Sequence, residues 1–150
     1  MALNSLEGAA ENDETELQRV GTRLSQTEAR ELEVAMERAR NQRAKGLLFF
    51  FSGSYEATAE QRTHLLGEDP LTIGRVEGDI KIPNGGVSRR HCTVYWKQGE
   101  LDFVIKDLGS RNGTYVNGGR ILRELEEKPL RTGDIVTLGA EVRAYFCKGL

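Results

Sequence analysis

Between residues 47 and 146 the chain repeats one pattern. A short run of leucine, β-branched or aromatic residues is followed by glycine, asparagine or aspartate. The runs cover 47–51, 71–73, 93–96, 101–105, 135–138 and 142–146. The breaks include Glu77-Gly78-Asp79, Asn84-Gly85-Gly86, Gln98-Gly99, Asn117-Gly118-Gly119 and Thr132-Gly133-Asp134. Runs this short suit strands, and glycine supplies the backbone that tight turns need. Turn signals at this spacing predict an antiparallel β-sandwich or barrel. Leu101, Phe103 and Ile105 alternate with Asp102, Val104 and Lys106, as in a strand. Lys128-Pro129 is expected at a strand edge or turn, because proline cannot donate to a ladder.

The first 44 residues are different in kind. They contain no aromatic residue and two of the 17 glycines, and nine acids against six arginines give them a net charge of −3. Residues 45–150 hold every aromatic residue and carry a net +1. A segment without aromatics buries little core alone. Ser25 with Glu28 fits a capping box, with Thr27 as a second N-cap candidate. Leu32, Ala35, Met36 and Ala39 then follow on one helical face, and Gly46 suits the stop. Leu17, Val20 and Leu24 suggest a weaker helix upstream, interrupted near Gly21. Such a helix either packs on its own domain or meets a partner. The organisation read from this is a disordered tail over 1–12, a helical extension over 13–45 and a β domain over 46–150.

Composition excludes several functions. A net charge of −2 for the whole chain does not suit a protein that coats nucleic acid. The longest apolar run, 47–51, falls far short of a membrane span of about 20 residues. Residues 1–12 lack a secretory pattern, so Cys92 and Cys147 are expected as reduced, buried thiols in a cytoplasmic protein. Asn112-Gly113-Thr114 matches a glycosylation acceptor, which matters only outside the cell. His64 and His91 have no His or Cys at ligand spacing, so neither metal nor cofactor is expected. There is no phosphate-cradling loop ending in Gly-Lys-Ser/Thr and no GxGxxG. Ser88 and His91 could be a nucleophile and base, but no third group is indicated to orient them.

What remains is a constellation of polar, glycine-rich loops. Gly74-Arg75 follows a predicted strand. Val87-Ser88-Arg89-Arg90-His91 precedes one. Residues 107–118 form a longer loop rich in Gly, Asn, Ser and Arg. A sandwich that gathers these loops at one end would offer arginines, hydroxyls and amides to a phosphate.

Gly74-Arg75, Ser88-x-x-His91 and Asp107 through Gly118 closely resemble the forkhead-associated (FHA) domain. Asp79-Ile80-x-Ile82 and Leu130-x-x-Gly133-Asp134 fit it too. The resemblance spans about 46–148 and leaves the N-terminal helix outside. It implies an all-β, eleven-stranded antiparallel sandwich, preceded here by a helical segment. Its end loops would bind phosphothreonine peptides without catalysis, in a Ser/Thr kinase pathway. It further implies that Arg75 and Ser88 contact the phosphate and that Arg89 and Arg111 add phosphate or peptide contacts. Asn112 would hold the peptide backbone. His91 would brace the loops, and Gly74, Asp107, Gly113 and Asn117 would shape them. Gly86 lies where some relatives select the residue three past the phosphothreonine. Arg90, alternating with Arg89, is expected to point away from the site. Two further expectations concern the N-terminal segment. A phosphorylated Thr15, Thr22 or Thr27 would dock in the chain's own pocket, or the helix would act as a phosphate-independent scaffold or oligomerisation element.

Overall fold

The computed structural model describes residues 24–52, 59–121 and 126–149. The expected tail, the weaker upstream helix, Thr15, Thr22 and the Gly53-Ser54 turn lie outside them.

Helix α1 spans Gln26–Asn41. Ser25 caps it through a complete capping box: Glu28 N–H donates to Ser25 Oγ at 3.1 Å, and Ser25 N–H donates to Glu28 Oε1 at 3.1 Å. Two otherwise unpaired donors are satisfied reciprocally. The helix stops earlier than Gly46. Arg43 turns into the left-handed region (φ 54), and Gly46 instead opens strand β1, Gly46–Ser52. A four-residue helix α2, Ala59–Arg62, runs into β2, Thr63–Leu66. Then come β3, Leu71–Gly74, β4, Ile80–Lys81, β5, Cys92–Lys97, and β6, Asp102–Asp107. The chain closes with β7, Thr114–Val116, β8, Gly119–Arg120, β9, Lys128–Pro129, β10, Ile135–Leu138, and β11, Val142–Lys148.

These eleven strands make two sheets, ordered β2-β1-β11-β10-β7-β8 and β4-β3-β5-β6-β9. The expected sandwich is present, with one correction: β3 and β4 pair in parallel. The segment between them is too short for a helical crossover. It folds back as a loop whose Asp79 N–H donates to the Thr72 carbonyl, 2.8 Å. Pro129 sits on the edge strand of its sheet, where a missing N–H is tolerated.

The main core lies between the sheets and includes Leu48, Phe50, Phe103, Ile105, Val136 and Phe146. A second cluster lies on the other face of the six-stranded sheet. There Leu32, Ala35 and Ala39 of α1 cover Leu47, Phe49, Phe51, Tyr145 and Cys147. This explains why the 47–51 run is continuous. A strand buried on both faces has no solvent side on which to place polar residues. Full burial of Leu32 alone contributes about 1.5–3 kcal/mol. The helix is thus the lid of the sheet, and its apolar stripe is already occupied.

Alternation fails in β6. Leu101 lies in the preceding turn at φ 51 and is exposed, while Phe103, Val104 and Ile105 are all buried. Phe103 and Ile105 enter the core, and Val104 is covered between its partners Tyr95 and Pro129.

Candidate functional site

Three connections meet at one end of the sandwich: the loop after β3, the segment from β4 to β5, and the loop from β6 to β7. Their main chains are stitched together. Arg75 N–H donates to the Ser88 carbonyl (2.8 Å), and Leu108 N–H donates to the His91 carbonyl (2.9 Å). Arg89's carbonyl accepts from both Val76 N–H (3.3 Å) and Glu77 N–H (2.9 Å). Gly74 permits this junction. A Cβ there would lie 2.0 Å from the Arg89 carbonyl oxygen, so no side chain fits without moving backbone.

Beneath the loops sits a buried hub. Asp107 is fully buried at the end of β6. Its Oδ2 accepts from Gly109 N–H (3.0 Å) and Ser110 N–H (2.9 Å). Its Oδ1 accepts from Ser110 Oγ (2.5 Å) and Thr114 Oγ1 (2.6 Å). Burial opposes the charge on Asp107. The hydroxyls of Ser110 and Thr114 and the two N–H groups outweigh it and hold the carboxyl below its usual value. Ser110 Oγ passes the network on by accepting Gly113 N–H at 2.9 Å. Gly113 adopts φ 91, which favours glycine.

His91 braces the second loop. It is fully buried. Its Nδ1 accepts Ser88 N–H at 3.0 Å, and Nε2 lies 2.9 Å from the Gly113 carbonyl. Only the neutral ring with its proton on Nε2 satisfies both contacts. Burial lowers the His91 pKa, against the opposing pull of the Gly113 carbonyl and the Asp107 charge. Both ring nitrogens are thus committed to main-chain groups. Ser88 and His91 are not a nucleophile with its base.

The histidine geometry sets a pH dependence. In the unfolded chain His91 takes a proton near 6.5; folded, it resists until lower pH. Its stabilising contribution is therefore complete above 6.5 and lost as pH falls through the folded pKa. His64, also lowered by burial, acts in the same direction. The denaturation midpoint should fall between about pH 7.5 and about pH 5, and the Ser88 amide resonance should titrate with a midpoint below 6.5. A Ser88 amide flat across that range would contradict the assignment.

The surface above this frame is an open cleft of about 550 Å³. Arg75, Ser88, Arg89, Arg111 and Asn112 all line it. Arg75 is aimed by Nε donating to the Val87 carbonyl (3.0 Å), which leaves its terminal nitrogens to solvent. Ser88 Oγ accepts Arg111 N–H (2.9 Å), so its own proton remains to be donated. Asn112 Nδ2 donates to the Gly86 carbonyl (3.0 Å). The residues placed below the cleft are Gly74, His91, Asp107 and Gly113. Asn117 lies apart, at φ 51, joining Asp134 Oδ1 (2.9 Å) and Ile135 N–H (2.9 Å). It secures the β7–β8 turn rather than the cleft.

Arg90 departs from its sequence expectation. It lines the cleft with the other arginines, because residues 87–91 form an irregular segment and do not alternate as a strand does. The Ser110 hydroxyl, expected among the donors offered to a phosphate, is instead buried and donates to Asp107, and Thr114, given no role by the sequence, completes the same hub. The signal was present in Asp107-x-x-Ser110, a spacing at which an aspartate commonly bonds nearby backbone. Glu141 was missed as well; it accepts from Asn84 Nδ2 (3.1 Å), while Asn84 Oδ1 accepts Gly86 N–H (2.9 Å). The glycine wall of the cleft is fixed from behind.

Among the described residues no group of His, Cys, Asp and Glu could hold a metal ion, and no helix is long and apolar enough to cross a membrane. Cys92 is buried, and burial together with the Asp107 charge pushes its thiol well up, away from reactivity.

A β-sandwich with a donor-rich loop end defines a class, and comparison with known proteins names it. Residues 71–139 match the FHA domain model. The solved structures that the chain superposes on are likewise FHA domains. It is 37% identical over 83 residues to human angiogenic factor with G patch and FHA domains 1. It is 38% identical over 79 residues to FHA domain-containing protein FhaA of Mycobacterium tuberculosis. These matches take in 51% and 52% of this chain but only 12% and 14% of those proteins. A structure from a study of phosphothreonine-dependent FHA domain interactions superposes with a TM-score of 0.56 at 29% identity, over 70% of this chain and 97% of that one. The FhaA FHA domain, solved as a complex with the intracellular domain of Rv3910, gives 0.53 at 29% identity, over 67% and 98%.

Proposed function

We propose that the chain is a phosphothreonine-dependent adaptor that captures phosphorylated partner peptides in the loop-end cleft. One observation carries the reading: Arg75 and the Ser88 hydroxyl both line a cleft held rigid from below, with donors left for a ligand. FHA domains are phosphothreonine-binding modules, which supports it. A phosphothreonine brings about −1.5 to −2 charge and three acceptor oxygens. Charge-assisted hydrogen bonds contribute about 1.5–3 kcal/mol each. Three of them contribute roughly 4.5–9 kcal/mol before the cost of ordering the peptide, so a micromolar Kd, about −8 kcal/mol, also draws on contacts to the peptide beside the phosphate. In this reading Arg75 and Ser88 hold the phosphate, Arg89 and Arg111 add contacts, and Asn112 holds the peptide main chain. The cytoplasm, where Ser/Thr kinases supply such ligands, is the setting that suits the role.

The tail version of this reading uses Thr15, Thr22 or Thr27, of which Thr27 is exposed in the first turn of α1. The scaffold alternative is weakened, since the Leu32–Ala35–Ala39 face of the helix is covered by its own sheet. An oriented phosphothreonine peptide library should be retained selectively by the wild type and not by Arg75→Ala. Equal retention by both would sink the assignment.

A further inference from the structure

The turn between β10 and β11, residues 139–141, does not line the cleft, yet it grips the cleft from behind at two points. Gly139 N–H donates to the Gly113 carbonyl at 2.9 Å, which fastens the turn to the loop that carries Asn112. Glu141 Oε1 accepts from Asn84 Nδ2 at 3.1 Å, and Asn84 Oδ1 accepts Gly86 N–H at 2.9 Å, which fastens it to the glycine wall. Loop and wall then join each other, because Asn112 Nδ2 donates to the Gly86 carbonyl at 3.0 Å. The circuit closes: from Glu141 through Asn84 and Gly86 to Asn112, and back through Gly113 to Gly139. It is also tight. A Cβ at Gly139 would stand 2.7 Å from the Gly86 carbonyl oxygen and 3.6 Å from Asn112 Cβ. Asn84 is buried, so turning its amide away from either partner would strand a polar group.

The circuit decides which way Asn112 faces. An asparagine amide has two N–H donors on Nδ2 and an acceptor in Oδ1. The Gly86 carbonyl takes one donor. The reversed amide would set Oδ1 against that carbonyl, two acceptors face to face. One N–H and Oδ1 therefore remain for a ligand, in a fixed orientation, and together they match the C=O and N–H of an extended peptide main chain. Resting on the phosphothreonine reading, we infer that Glu141 and Asn84 are positioning residues for the peptide. They fix Gly86, the Gly86 carbonyl fixes the Asn112 amide, and the amide meets the peptide already oriented. Neither residue touches the phosphate. Their contribution is to spare Asn112 the ordering that binding would otherwise cost.

The test pairs fluorescence polarisation, using one labelled phosphothreonine peptide selected by the wild type, with NMR of the Asn112 side-chain amide in the free protein. Glu141 is exposed, so its variants should fold. Glu141→Ala should raise the Kd about fivefold, the size of one hydrogen bond, and should shift the Asn112 side-chain amide. Glu141→Gln keeps an oxygen acceptor for Asn84 and should return the Kd to within about twofold of wild type. In an Asn112→Ala background, Glu141→Ala should add less than about twofold, since the group it positions is gone. General loosening of the loops would instead cost the same factor in both backgrounds, and that result overturns the route through Asn112. Glu141→Ala that binds as wild type does, or leaves the Asn112 amide unmoved, overturns the inference and leaves the adaptor reading intact. Wild type that binds no phosphopeptide overturns both.

Discussion

Arg75→Ala lowers the affinity for a phosphothreonine peptide by about 2–5 kcal/mol, the range for removing one partner of a desolvated charge pair. That is a loss of roughly 30-fold to several thousandfold, enough to abolish micromolar binding. The effect is large because Arg75 is pre-aimed. Its Nε is anchored on the Val87 carbonyl, so little side-chain freedom remains to be lost when the phosphate arrives. Arg75→Lys keeps the charge and loses both the anchor and the planar fork, and should fall between the two. The side chain is exposed, so neither change should shift the thermal midpoint much. Titration calorimetry with a bound phosphopeptide measures the affinity, and unchanged affinity in Arg75→Ala would remove the phosphate site from this cleft.

Asp107→Ala should be the most damaging change to the fold among the site residues. It strands two hydroxyls and the Ser110 N–H in a buried position at once, and takes the acceptor from the Gly109 N–H at the cleft surface. A buried donor left without an acceptor costs about 1–3 kcal/mol, and the members of one network are lost together. The hydroxyls can turn to other acceptors and the Gly109 N–H can turn to water; the Ser110 N–H can do neither, which with the loss of the network sets an expected cost of about 2–4 kcal/mol. Chemical denaturation measures it. Asp107→Asn should cost less, since one carboxamide oxygen remains to accept. A loss below about 1 kcal/mol in Asp107→Ala would show that the hub does not organise the loops. The damage should also appear in binding, because Gly113 and Arg111 belong to the loop that the hub holds against Ser88 and His91.

The sandwich was legible because its inner-sheet strands are apolar runs bounded by turn residues. Two of the three shortest strands were not. β4 and β8 have two residues each, too few to show a period, and their pairing depends on the partner strand. β7 reads as part of the long polar loop because Thr114 spends its hydroxyl on Asp107 rather than on solvent. β2 is hidden by His64, whose ring instead packs edge-on against Phe50. The helix was legible from its cap and stripe. Its docking on the outer face of the six-stranded sheet follows from a second fact, the unbroken Leu47–Phe51 run, which alternation cannot explain. Among the site residues, those set by backbone chemistry at fixed spacing were visible: Gly74, Ser88, His91, Asp107 and Gly113. Arg90 was misplaced because alternation is a rule for strands, and residues 87–91 are not one.

The central claim is that a phosphate on threonine is what the cleft recognises. It is tested most directly by titrating wild type with one selected peptide in three forms: phosphothreonine, phosphoserine and unmodified threonine. The account predicts micromolar binding of the first and loss of detectable binding for the third, with Ser88 and Arg75 resonances moving only when phosphate is present. Equal affinity for the modified and unmodified peptides would contradict it.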